Sequence, residues 1–387
     1  MSDSQNCWLE PGRTFPFFKG RVALYAILSA AGIGEGDEVI LPGFTCVVVP
    51  AAIGYTKAKP VFCDIDPNNY NADPDLIISL ISSKTRAVIV QHTFGVPAPI
   101  DRLKEICGDE QILLIEDCAH AVGSISGNTP VGMLGDASFC SFQWSKPVTT
   151  GLGGVARVNN DYLLNALKEA YETLYHEPGL LTSVGLLLLS EIYSRWYRPQ
   201  AYWLTRSIYR KASSWGVVQG SSTDVELVDP SMPATYMRLY GRHREHQIPK
   251  ALEKLDELSQ HRCALARRYE EYFGMIGAHT QATLAGTIPV HLRYPILVDD
   301  RDRFLAEARA QRIEIGDWFN APLHPLVSGA ELFGYKPGAC PTAEIIAKHM
   351  VNLPTHSRID NMAFDDIMGF IDERRDMILS SPPSSSH

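Results

Sequence analysis

Between Gly20 and Asn160, apolar runs of two lengths alternate along the chain. The short ones, at 38–41, 60–65, 87–91, 112–116, 137–142 and 155–158, are bounded by Gly, Pro and Asp and read as strands. Between them lie longer runs with helical spacing, at 22–31, 47–54, 74–82 and 100–107. Gly32 and Gly34 close the first, and Pro74 sits at the start of the third, where helices favour proline. Strands separated by helices of this length predict a mostly parallel sheet covered on both faces. In such a sheet, functional side chains collect at the carboxyl ends of the strands. Asp117 and His120 stand at such an end, just past the buried run 112–116.

The pattern changes in the second half. Residues 248–273 form a long amphipathic helical pattern, followed by short strands within 290–298 and a helix over 301–311. This predicts a large domain over 13–240, a smaller α+β domain over 241–379, and a Ser/Pro-rich tail, 380–387, expected to be disordered. No internal repeat is visible. The apolar stretch 179–189 ends at Ser190-Glu191, well short of the ~20 residues a spanning helix needs. It is expected to be a buried or interfacial helix. Residues 193–215 then mix Trp and Tyr with Arg and Lys, ahead of a polar linker at 220–224. Such a mixture can lie on a membrane surface or pack against a domain or second subunit, and packing is the preferred reading over peripheral membrane contact.

Composition narrows the class. With 387 residues, 45% of them hydrophobic, the chain can bury a large core. A formal net charge of -9 argues against binding nucleic acid through its phosphates. None of the 8 cysteines forms a CxxC pair and several lie in apolar runs, so buried thiols in a reducing compartment are expected rather than disulfides or zinc. The polar first residues carry no secretory signal, which makes the cytoplasm the expected location.

The candidate chemistry centres on Lys146, in Ser141-Phe142-Gln143-Trp144-Ser145-Lys146-Pro147 ahead of Gly151-Leu152-Gly153-Gly154. A carboxylate at a strand end followed by a lysine in a Gly-rich turn is what a pyridoxal phosphate enzyme needs. The amine forms a Schiff base, and the carboxylate keeps the pyridine nitrogen protonated. Each piece has a plainer reading. Lysines are mostly solvated, Asp117 can cap a helix beginning at Cys118, His120 can be a satisfied core histidine, and Gly20-Arg21 can simply start a helix, although such a start also suits phosphate. The plain readings leave unexplained why all four occur in this order within one α/β region.

The ordered motifs resemble the DegT/DnrJ/StrS-type sugar aminotransferases, of the fold-type-I pyridoxal phosphate enzymes. The matching pieces are 34–42, 59–66, His92-Thr93-Phe94-Gly95, 115–123, 131–136, the lysine motif, 340–344 and Asn352-Leu353-Pro354-Thr355-His356. The resemblance implies a three-layer α/β large domain and a homodimer with sites at its interface. It also implies an amino group passed from L-glutamate to a nucleotide-linked keto-sugar by way of pyridoxamine phosphate. It assigns Lys146 to the Schiff base and proton shuttle, Asp117 to the pyridinium nitrogen, and His120 to the phenolic oxygen. Ser141 and the helix start at Gly20, Arg21 and Val22 fall to the phosphate, and His324 and Arg238 to the substrates.

Three positions depart from the family. Arg21 replaces a Thr or Ser, and either contacts phosphate or points away. Cys46 replaces the aromatic that stacks on the cofactor ring, leaving Phe44 as the nearest aromatic. Tyr236-Met237-Arg238 keeps the arginine of an Asn-x-Arg segment but lacks its asparagine. Two rival functions stay open at this level. One is a related enzyme acting on a non-sugar substrate or catalysing dehydration, against which Lys146 weighs because related dehydratases carry histidine there. The other is a noncatalytic binding or membrane-associated homologue.

Overall fold

The computed structural model describes residues 7–196 and 225–383. Seven strands form the main sheet: β1 (Thr14–Phe17), β2 (Glu38–Pro42), β3 (Lys59–Cys63), β4 (Thr85–Gln91), β5 (Leu113–Asp117), β6 (Ala137–Ser141) and β7 (Gly154–Val158). Their spatial order is β1-β7-β6-β5-β4-β2-β3. The strands from β3 to β6 pair in parallel, and only β7 runs against its neighbours. Helices α1 (Gly20–Ala30), α2 (Val48–Tyr55), α3 (Pro74–Leu80), α4 (Ile100–Asp109) and α5 (Asp161–Thr173) cover it. Strand alternation decides which helix goes where. Val39, Leu41, Ala87, Ile89 and Ile115 face one core with α1, α2 and α5. Ile40, Val88, Val90 and Leu114 face the other with α3 and α4. This is the three-layer α/β architecture that the alternating runs predict.

The structure differs from the pattern in places. Strand β1 was not visible in the sequence, because four residues containing Pro16 at a sheet edge show no usable periodicity. After α6 (Leu180–Trp196), the single predicted helix 248–273 is two, α7 (Gln247–Leu252) and α8 (Leu255–Met275). The break lets Ile248, Leu252 and Leu255 all enter the core behind the end of β5. The rest of α8 turns Leu265, Tyr269 and Phe273 into a second core. That core forms around the antiparallel pair β8 (Arg293–Leu297) and β9 (Met350–Pro354), with α9 (Arg301–Ala310) and α11 (Asn361–Asp372), and α10 (Pro341–His349) precedes β9.

Helix α6 is the apolar stretch that follows α5. It buries Ser183 and Leu186 but exposes Leu180, Val184 and Leu188 at helical spacing. No helix among the described residues is long and apolar enough to cross a membrane. The aromatic-basic run beyond Trp196, the 220–224 linker and tail residues 384–387 lie outside the described residues. None of the eight cysteines forms a disulfide, and six of them are buried. One short connection positions the site. Leu323-His324 pairs in parallel with Thr45-Cys46, which lays the 316–325 loop over the carboxyl end of the main sheet.

Candidate active site

The lysine turn begins where β6 ends. The Phe142 carbonyl accepts from the Thr150 amide (3.0 Å) and the Thr149 hydroxyl (3.1 Å), and the Phe142 amide donates to Gly153 (3.0 Å). Gly151 has φ +88, and a Cβ there would lie 2.6 Å from the Trp144 ring, so only glycine lets the turn close. The buried guanidinium of Arg244 clamps the outside, donating to the carbonyls of Leu152 (2.6 Å) and Thr150 (3.1 Å). Lys146 is carried at the head of this braced turn, its amine 5.0 Å from the centre of the Trp318 ring. Burial pushes its ammonium below the ordinary lysine range, Cys46 and Asp117 pull it back up, and Arg293 pushes it down again. A lowered amine is more often neutral and therefore nucleophilic.

Two adjacent carboxylates close β5, and alternation separates their tasks. Glu116 is fully buried and saturated: it accepts from the amides of Gly132 (2.7 Å), Leu134 (2.8 Å) and Gly135 (2.7 Å) and from His92 Nε2 (3.1 Å). His92 Nδ1 accepts from the Ala98 amide (3.0 Å), which puts the ring proton on Nε2 and makes it the donor to Glu116. Burial raises the Glu116 carboxyl, but these bonds outweigh it and hold it below the usual range. With Cys118, these two groups lie close enough to hold a metal, yet the lone pairs of Glu116 are already committed. Asp117 points the other way. It accepts from the Ala119 amide (2.9 Å) in a local turn, and burial pushes its carboxyl up, against the pull of that amide, Lys146 and His92.

His120 sits one turn beyond. Its Nδ1 is buried with no hydrogen-bond partner among the described residues. The satisfied-core reading of His120 therefore does not hold. Burial drives its pKa well down, with Lys146 and Arg293 adding repulsion, so the ring is neutral. It lies between Phe94 (centroids 6.1 Å, 15° apart) and Phe319 (5.6 Å, 27°). Phe94 holds a left-handed backbone, φ 56, a strain that proteins tolerate at functional sites. The following Gly95 makes this possible, since a Cβ on it would strike the Val290 carbonyl at 2.1 Å.

At the far end, the open start of α1 meets β6. A Cβ on Gly20 would lie 3.1 Å from that of Ser141, and one on Gly154 would overlap the Gly20 backbone at 2.4 Å. Two glycines thus let the amide end of the helix and the Ser141 hydroxyl share one small cradle, a ready anion site. Arg21 pairs with Glu226 (2.9 Å) in a buried contact, so its charge is engaged by a carboxylate of the chain itself. The Val22 amide donates to the Lys19 carbonyl (3.1 Å) rather than standing open. Lys19, unremarked in the sequence, donates to the Tyr236 hydroxyl (2.6 Å) and lies 3.6 Å from Glu226. Burial and Arg21 press its ammonium down to about 7.

The structure thus gathers Lys146, Asp117, His120 and His324 into one electrostatic neighbourhood and places Gly20 against Ser141. His324 is held by Asn320 (2.6 Å), and burial lowers its pKa to about 4. Phe44 is not at the lysine. It is fully buried against Phe319 (4.9 Å), Tyr70 and Phe94, whereas Cys46, in the two-residue strand that follows, is the neighbour whose charge acts on Lys146. The carbonyl of Arg238 takes the Phe18 amide (3.1 Å), and its guanidinium lies 5.8 Å from the centre of the Phe18 ring, so its side chain packs there rather than against the lysine. Trp318 and Arg293 line the site without any sequence signal, because nothing in a linear pattern shows that 293 and 318 fold over a turn at 146.

A lysine in the turn beyond one parallel strand and a carboxylate at the end of its neighbour, beyond the open start of a helix, form the arrangement that a pyridoxal-phosphate enzyme of fold type I requires. The residues fit that cofactor: a glycine cradle for its phosphate, Asp117 for its ring nitrogen, and the unmatched Nδ1 of His120 for its phenolic oxygen. The chain belongs to the DegT/DnrJ/EryC1/StrS aminotransferase family, whose model matches residues 17–180 and 248–372. It is 27% identical over 359 residues to the uncharacterized protein MJ1066 of Methanocaldococcus jannaschii, spanning 90% of this chain and 81% of that one. It is 38% identical over 146 residues to GDP-perosamine synthase of Vibrio cholerae, a match that spans 38% of this chain and 40% of the relative's length. A solved DegT DnrJ EryC1 StrS aminotransferase from Brucella abortus shares the fold, with a TM-score of 0.71 at 22% identity over 93% of this chain and 85% of that one.

Proposed function

We propose that this aminotransferase uses pyridoxal phosphate held by Lys146 to move an amino group from L-glutamate to a nucleotide-linked keto-sugar, in two half-reactions. The observation that carries this reading is the pairing of a pKa-lowered lysine with a buried aspartate beside a histidine nitrogen that lacks a partner among the described residues. The similarity to GDP-perosamine synthase of Vibrio cholerae supports the class of acceptor. When bound, the cofactor supplies an electron-withdrawing ring that stabilises negative charge at the carbon bearing the transferred nitrogen.

The chain's own residues do the rest. Asp117 holds a proton on the ring nitrogen, and its burial makes that charge pairing strong. With the cofactor bound, the Lys146 amine would take a proton from the donor's Cα and deliver it to the cofactor's C4′, because its lowered pKa suits both accepting and giving it. His120 donates or accepts at the phenolic oxygen, and Gly20 and Ser141 hold the phosphate. Residues 13–240 serve as the cofactor domain and 241–379 as the substrate-covering domain, and the chain works as a homodimer with sites at the interface.

Purified protein supplied with pyridoxal phosphate is expected to turn yellow, and Lys146→Ala to lose that absorption while still folding. L-glutamate should bleach the wild-type band and release 2-oxoglutarate, and a panel of nucleotide keto-sugars should restore the band. A colourless protein that takes up no added cofactor would sink the reading.

A further inference from the structure

Helix α6 stands where this chain departs from its family. The family match ends at residue 180 and resumes at 248, so nearly all of α6 lies between the two matched blocks. One side of the helix is tied to the large domain. Ser183 is fully buried, Leu186 packs with Phe18 and Leu152, and Ser190 Oγ accepts from Gln247 Nε2 (2.9 Å). The other side is open. Leu180, Val184 and Leu188 recur every four residues and are 62%, 42% and 60% exposed, so they form one apolar row along the helix. A helix this apolar on both sides is expected inside a core or against lipid, yet half of it faces outward. A contiguous exposed apolar row of this kind marks a contact surface.

The composition of the chain beyond α6 says what that surface meets. From Ile192 to Thr223 the sequence holds Arg195, Arg198, Arg206, Arg210 and Lys211 and no Asp or Glu, within a chain of net charge -9. Three of its six tryptophans, Trp196, Trp203 and Trp215, fall in the same stretch with four tyrosines. Trp and Tyr favour the depth of lipid headgroups, and Lys and Arg favour an anionic leaflet.

We infer that the open face of α6 docks on an anionic lipid surface, with Leu180, Val184 and Leu188 entering the headgroup boundary. Sequence alone favoured packing within the protein, and the open row reverses that preference. The helix lies on the membrane rather than through it, since none among the described residues is long and apolar enough to cross. A second copy of the chain is the rival occupant. Symmetric pairing would set the basic stretch against its own image, whereas anionic headgroups match its sign.

The test spins the cofactor-loaded full chain with vesicles of phosphatidylcholine, with and without phosphatidylglycerol. Wild type is expected to pellet with the phosphatidylglycerol vesicles, less so as salt is raised. The triple variant Leu180→Ser/Val184→Ser/Leu188→Ser should lose on the order of tenfold or more in vesicle affinity. Its urea midpoint should stay near that of wild type, because the three side chains are exposed. Met275→Ser, which removes an exposed apolar side chain from the end of α8, should bind as wild type does. Wild type left in the supernatant, equal binding to both vesicle types, or a triple variant that binds undiminished would each overturn the assignment. A triple variant whose mass in free solution falls by half would hand the face to a second copy and overturn it too. Binding is read without turnover, so its failure and that of the aminotransferase reading stay separate.

Discussion

Glu116 and Asp117 are neighbours of like chemistry, and the structure predicts opposite outcomes when each loses its charge. In Glu116→Gln one end of the side chain becomes an amide NH2 that cannot accept. Whichever way it turns, either the Leu134 and Gly135 amides or the Gly132 amide and His92 Nε2 lose their acceptor. His92 cannot escape by changing tautomer, because its Nδ1 is taken by the Ala98 amide. Two buried donors left unsatisfied at about 1–3 kcal/mol each give a loss of roughly 2–6 kcal/mol, a large share of the ~5–15 kcal/mol that holds a domain folded. In Asp117→Asn the Ala119 amide keeps its oxygen acceptor and a charge that burial disfavours is removed, so stability should stay within about 1 kcal/mol. The cost falls on chemistry instead: without a carboxylate at the ring nitrogen, the glutamate half-reaction should slow on the order of 10²–10³-fold. Urea unfolding of the cofactor-free proteins and stopped-flow bleaching of the cofactor band separate the two effects. An Asp117→Asn variant as destabilised as Glu116→Gln, or a Glu116→Gln variant as stable as wild type, would refute the division of roles.

The remaining predictions concern the supports of the site. Arg244→Ala removes a fully buried clamp from the Leu152 and Thr150 carbonyls and should cost roughly 2–4 kcal/mol, while loosening the lysine turn enough to weaken cofactor binding; equilibrium dialysis and urea midpoints read both. Lys19 titrates at about 7 in the folded protein but near 10.4 when unfolded, so between these values the unfolded chain binds more protons and stability rises with pH. The slope from this group is at most about 1.4 kcal/mol per pH unit, and Lys19→Met should flatten the wild-type rise measured by urea unfolding from pH 7 to 9; parallel curves would count against it. His324 and His291, both lowered to about 4 by burial, act in the opposite window: stability present above about 6.5 is lost as pH falls toward 4, because the unfolded histidines take up protons first, and an acid titration of unfolding checks this.

Much of the large sheet was legible because its strands and helices are local objects. A run such as 87–91 must be a buried strand whatever else the chain does, and the observed β4 extends it by only two residues. The order Gly20, Asp117, His120, Ser141, Lys146 was legible for a related reason. Each stands at the end of a strand or the start of a helix, and a parallel sheet brings such ends together. The break within 248–273 was not legible, since Leu252 and Leu255 suit a continuous helical stripe as well as two helices sharing a core. The direction of Phe44 was not legible either, because a two-residue bridge to 323–324, far along the chain, decides which of residues 44–46 meets the lysine.

By itself the sequence determined the layered α/β fold and the order of a strand-end carboxylate and a lysine ahead of a Gly-rich turn, because periodicity, strand ends and glycine runs are written in consecutive positions. Only the tertiary structure decided how charge is distributed around that lysine. It gave Arg21 a carboxylate from residue 226, left His120 Nδ1 without a partner among the described residues, and stacked Arg293 on the Trp318 ring that faces the amine. These are contacts between positions tens to hundreds of residues apart. They depend on how the second core closes over the first, and no local pattern encodes that.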